Sequence, residues 1–132
     1  VIRVFRSEAV TQGIRVIVES RFEAERSSPD EGQWFFSYHV RIENEGDRVA
    51  QLVSRHWIIT DGNGKEQEVR GPGVVGEQPV LEPGEAFEYT SACPLQTPVG
   101  SMRGTYRMVA PGGTAFDAVI APFGLGEPRV IN

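Results

Sequence analysis

The 132 residues carry eighteen acids against thirteen bases, a net charge of −5, with hydrophobic residues at 39%. That length predicts a single domain spanning residues 1–132, with a core that needs neither disulfide nor metal. An acidic chain is repelled by phosphate backbones, which argues against nucleic acid, and no stretch approaches ~20 apolar residues, which argues against a membrane span.

The opening run, Val1-Ile2-Arg3-Val4-Phe5-Arg6-Ser7-Glu8, carries charges where a signal peptide needs its apolar region. Cys93 is the only cysteine. It permits no internal disulfide and points to a reducing, cytoplasmic setting. All bases but Lys65 are arginine, and they are dispersed along the chain. The interval from Glu77 to Pro98 holds Glu77, Glu82, Glu85 and Glu88 and no base. It reads as a solvated acidic face, with recognition of a cationic partner as the alternative.

Alternation with period two recurs along the chain, and no segment sustains a helical period. Ile14, Val16, Val18 and Phe22 share one strand face. Trp34, Phe36, Tyr38, Val40 and Ile42 form an inward stripe, with His39 pointing outward. Residues 49–60 make a third strand with apolar bulk on both faces: Val49, Val53, Trp57 and Ile59 against Leu52, His56 and Ile58. Either both faces are buried or a bulge switches the phase, and Trp57 is expected inward. Further strands follow at 65–70, 85–92, 101–110 and 114–122. The turns Asn44-Glu45-Gly46-Asp47, Asp61-Gly62-Asn63-Gly64, Pro83-Gly84 and Pro111-Gly112-Gly113 separate them. About seven short strands with regular turns predict an all-β antiparallel sandwich of the immunoglobulin or fibronectin type III kind.

Few residues offer chemistry. His39, His56 and Cys93 sit on separate segments without chelating spacing, so no metal site or cofactor is expected. Asp61-Gly62-Asn63-Gly64-Lys65 starts like a calcium loop but lacks the acid pattern, which leaves Asp61 as a turn acceptor. Ser54 and His56 share a strand face, too far apart for a serine–histidine bond, and Gly-x-Ser-x-Gly is absent. No paired-carboxylate spacing stands out, and a non-enzymatic role is expected.

Gly71-Pro72-Gly73-Val74-Val75-Gly76 matches the spelling of a dinucleotide-binding turn. Such a turn needs a helix after it, and Pro79 and Pro83 forbid one. Two readings stay open. In the first, the glycines supply positive φ and close backbone approach to a rigid end loop. In the second, the amides of Gly71, Gly73, Val74, Val75 and Gly76 form a nest for phosphate oxygens, with Arg70 supplying charge. Glu68 and Glu77 flank that nest with the wrong sign.

Longer motifs carry a likeness. Ser54-Arg55-His56-Trp57-Ile58-Ile59-Thr60-Asp61, the glycine run through Pro79, and Leu81-Glu82-Pro83-Gly84-Glu85-Ala86-Phe87-Glu88-Tyr89-Thr90-Ser91 resemble the ApaG family. Thr97-Pro98, Gly100-Ser101-Met102-Arg103-Gly104-Thr105-Tyr106-Arg107-Met108 and Phe123-Gly124-Leu125 extend the likeness over roughly residues 10 to 128. The resemblance implies a fibronectin type III-like sandwich. It implies an association with cobalt resistance and magnesium handling in bacteria, and protein-binding roles of similar domains in F-box and polymerase-interacting proteins. It supplies no catalytic residues, and it marks the glycine loop as a suspected phosphate site. A chain with neither a spanning helix nor enough strands for a membrane barrel does not transport a cation, so any such link is indirect. The expected role is a protein-interaction module with an unidentified protein partner. The alternative is a binder of pyrophosphate or a dinucleoside polyphosphate through residues 70–76.

Overall fold

A computed structural model describes residues 4–131, with side chains described for residues 4–129. Two antiparallel sheets face each other. The first runs β1 (Val4–Thr11), β2 (Ile14–Phe22), β3 (Trp34–Asn44) and β7 (Ala86–Leu95), in that spatial order. The second runs β5 (Glu66–Pro72), β4 (Ala50–Asp61), β8 (Val99–Val109) and β9 (Ala115–Gly126). A two-residue strand, β6 (Val80–Leu81), also pairs with β4, and a short helix, α1 (Pro128–Ile131), ends the described chain. The fold is the expected immunoglobulin- or fibronectin-like sandwich.

All seven expected strands are present, and two more join them. β1 escaped the periodicity reading because its inward positions, Phe5, Ser7, Ala9 and Thr11, are mostly small or polar. β6 is too short to carry a period.

The inward stripe of β3 packs as its alternation demands. Phe36, Val40 and Ile42 are fully buried and Tyr38 nearly so, while Trp34 is half-buried at the end of the strand. Trp57 of β4 meets Tyr38 across the interface and Tyr106 and Phe123 of its own sheet, with ring centroids 5.3, 6.1 and 5.9 Å away. These edge-on pairs add to the area they bury.

β4 resolves its two-faced pattern by a bulge. Its pairing with β8 slips between Leu52 and Ser54. Ala50 and Leu52 point inward before the slip and Trp57 after it, so both apolar sets reach the same core.

Buried polar groups are tied down at the turn ends. Asn44 sends its Nδ2 to the carbonyls of Arg48 (2.8 Å) and Leu81 (2.9 Å), and its Oδ1 accepts from the Gly46 amide (3.0 Å). One side chain thereby pins the crossing between the sheets to β6. Asp61 accepts from the amides of Asn63 and Lys65 through Oδ1, at 2.9 and 3.0 Å, as a turn residue does.

Candidate functional site

The glycine run begins at the end of β5 and folds back at once. The Val74 amide donates to the Glu77 carbonyl (2.8 Å) and the Glu77 amide returns to Val74 (2.9 Å). At the tip, Val75 and Gly76 hold φ of 43° and 80°, the two positive values of a type I′ turn. Val75 is β-branched, so this backbone is strained. Gly73 also has positive φ, at 59°, and a Cβ there would lie 2.2 Å from the Glu77 carbonyl oxygen. Backbone geometry alone therefore demands glycine at 73.

Gly71 makes room for a neighbour. A Cβ at this position would meet Nη2 of Arg55 at 2.9 Å. The Arg55 guanidinium lies flat against that bare backbone and donates through Nη1 to the carbonyls of Pro72 and Gly73, each at 2.9 Å. The loop's oxygens thus hold a cation from its own chain. Of the amides expected to cradle phosphate, Gly73 donates to Val53 (2.9 Å) and Val74 to Glu77. Arg70 is 71% exposed and sits 3.5 Å from Glu68.

Outside this loop, on the solvent face of the second sheet, Ser54, His56, Arg70, Gly71, Thr105 and Arg107 line a polar hollow of about 280 Å³. His56 Nε2 donates to Glu68 at 2.7 Å, and Arg107 pairs with Asp117 at 3.2 Å. The His56 hydrogen bond, helped by Arg70, holds the Glu68 carboxyl below the usual carboxylate range. His56 is turned toward this carboxylate and not toward Ser54, so the two residues form no nucleophile–base pair.

His39 faces solvent, where Nε2 donates to Glu88 (2.8 Å) and Nδ1 pairs with the Thr90 hydroxyl (2.9 Å). Cys93 is buried, and burial pushes its thiol up to about 11. Among the described residues no three His, Cys, Asp or Glu side chains converge as a metal set.

The two sides of the sandwich differ. On one, β9 packs over β1 and β2: Ser20 Oγ donates to the Gly124 carbonyl at 2.6 Å and the Val119 amide to Thr11 Oγ1 at 3.0 Å. On the other, the edge strands β5 and β7 leave a cleft between the sheets. Its inner part, about 250 Å³, is lined by Tyr38, Arg55, Trp57, Val69, Cys93 and Met102 among others. Its outer part, about 610 Å³, reaches Arg26, Trp34, Phe35, Lys65 and Leu95. Ile59, Gln67 and Pro94 belong to both parts. Sequence reasoning missed this feature, because it needs the pairing order that leaves β5 and β7 unpaired on one side.

The strand order defines a two-sheet antiparallel sandwich with open edge strands. The family model described as the ApaG domain matches residues 24–110. A protein from Anaeromyxobacter dehalogenans (strain 2CP-C) named Protein ApaG is 64% identical over 126 residues, covering 96% of this chain and 99% of its own length. A Protein ApaG from Methylobacterium nodulans is 58% identical over 93% of this chain and 95% of its own. A Bordetella pertussis crystal structure designated ApaA superposes with a TM-score of 0.85 at 53% identity, over 94% of this chain and 98% of that one. The chain belongs to the ApaG family. Among the described residues no helix is long and apolar enough to cross a membrane.

Proposed function

We propose that this ApaG-family chain is a non-catalytic, cytoplasmic module that binds a partner protein by adding the partner's strand to the free edge of β7. The observation carrying this reading is the contrast between the two edges on the open side. β5 displays Glu66, Glu68 and Arg70 and ends at Pro72, the charged and proline-blocked edge that resists pairing. β7 carries one charge, Glu88, and a proline, Pro94, toward its ends, while its middle, Thr90, Ser91 and Ala92, is small and neutral and leaves the backbone accessible for strand addition. Any connection with magnesium or cobalt then runs through the partner. Affinity capture at low salt tests this. The parent is expected to retain specific proteins that the exposed Thr90→Lys variant loses, and a parent retaining nothing contradicts the reading.

A second reading has one observation in its favour. The hollow beside Gly71 gathers Arg70, Arg107 and His56 with the hydroxyls of Ser54 and Thr105, a donor set suited to phosphate, against the one carboxylate of Asp117 that also lines it. Pyrophosphate would bind there through side chains, beside the loop more than within its amides. A saturable rise in melting temperature with pyrophosphate, weakened by Arg70→Ala, would favour it; the module reading expects no rise.

A further inference from the structure

The cleft between β5 and β7 is built differently from an ordinary gap between sheets. Its walls combine apolar side chains, Val69 and Ile59 on one sheet and Cys93 and Leu95 on the other, with polar ones such as Gln67 and Ser91. Its two parts fall within the size range of small-molecule sites, roughly 300–1,000 Å³ when joined. Trp57 lines the inner part with 2% of its surface exposed, and its indole N–H meets no acceptor among the described residues. Buried donors in folded proteins are nearly always paired. The second tryptophan gives the contrast: Trp34 N–H donates to Glu127 at 2.8 Å.

Charge points the same way. The chain is acidic overall, yet the cleft is lined by Arg26, Arg55 and Lys65, and Asp61 is its one carboxylate. Oδ1 of Asp61 accepts from the amides of its own turn, and Arg55, whose Nη1 donates to the Pro72 and Gly73 carbonyls, has no carboxylate partner among the described residues. Between partly apolar walls, a cation and an open N–H favour an acceptor of negative charge more strongly than they would in water.

We propose that this cleft is a binding site for a small organic anion, an apolar chain or ring bearing one carboxylate. The apolar body lies between Val69 and Cys93, and the carboxylate faces Arg55 and the Trp57 indole N–H. The site borders the β7 edge, where Ser91 and Ala92 also line it, and its readout, the Trp57 resonance, is separate from capture of a partner protein.

The test uses the nitrogen-15-labelled chain with octanoate as probe and octanamide as its neutral counterpart, read by the indole N–H resonances of both tryptophans. Octanoate is expected to move the Trp57 resonance saturably, and octanamide to bind at least about tenfold more weakly. Gln67→Glu, at an exposed position shared by both parts of the cleft, is expected to weaken octanoate about tenfold and leave octanamide unchanged. The amide spectrum of the variant verifies that it is folded. A Trp57 resonance unmoved by millimolar octanoate overturns the proposal. Equal affinities for octanoate and octanamide, or a Gln67→Glu variant that binds octanoate like the parent, overturn it too.

Discussion

One side of this sandwich is stitched shut and the other stands open, though both are made from strands of similar length. On the closed side β9 lies over β1 and β2, with Ser20 and Thr11 bonding its backbone and Gly124 admitting the Phe5 ring, whose nearest atom would lie 3.1 Å from a Cβ there. On the open side the edges of β5 and β7 part around Trp57, Val69 and Cys93. Closure uses short backbone-directed contacts and small side chains. Openness leaves aromatic surface, an unpaired indole N–H and a local excess of cations facing a space of defined size.

The largest expected effect removes the floor common to both. Phe36 is fully buried, so Phe36→Ala is predicted to cost about 3–5 kcal/mol and to lower the melting temperature by more than about 10 °C in thermal denaturation. A loss of only a few degrees would mean that β3 does not anchor the core.

Alkaline pH comes next and acts on the open side. Burial raises Tyr38 and Cys93, which line the cleft, and also the Tyr89–Tyr106 hydroxyl pair. Each of these groups releases its proton more readily when unfolded. The unfolded state therefore binds fewer protons once pH passes the ordinary thiol value, and stability falls with rising pH. For Cys93 that window opens at 9.0 and extends to about 11. Melting temperatures across the alkaline range should stay level near neutrality and then decline. A flat profile through that window would contradict burial of these groups.

The glycine loop sharpens the comparison, being a structural element at the open edge. Gly73→Ala combines positive φ with a clash against Glu77 and is expected to cost about 1–3 kcal/mol. Gly76→Ala, with positive φ and no neighbour within 4 Å, should cost about 1 kcal/mol. Equal losses in chemical denaturation would remove the distinction.

Paired substitutions on the two sides give the smallest effects. Ser20→Ala deletes a buried bond that closes the sandwich, at about 1 kcal/mol. Thr90→Lys on the open edge should stay within about 0.5 kcal/mol, because Thr90 is exposed.

Much of this architecture is legible in the sequence, since alternation in β2 and β3 and the turn residues between strands set face and boundaries by local rules. Even the bulge in β4 announced itself, as apolar bulk on both faces. β1 stayed hidden because Ser7, Ala9 and Thr11 carry too little apolar contrast. The site was harder. The glycine spelling suggested an anion nest, whereas the path of the loop spends the Gly73 and Val74 amides internally and turns two carbonyls toward Arg55. That contact joins neighbouring strands, and no local pattern encodes it. The cleft depends on strand order, which spacing alone does not reveal.

Hydrogen–deuterium exchange of the chain with and without its captured partner tests most directly whether the open side is the binding side. The account predicts new protection in residues 86–95, with little change on β1 and β9. Protection confined to residues 73–77, or spread over the closed side, would contradict it.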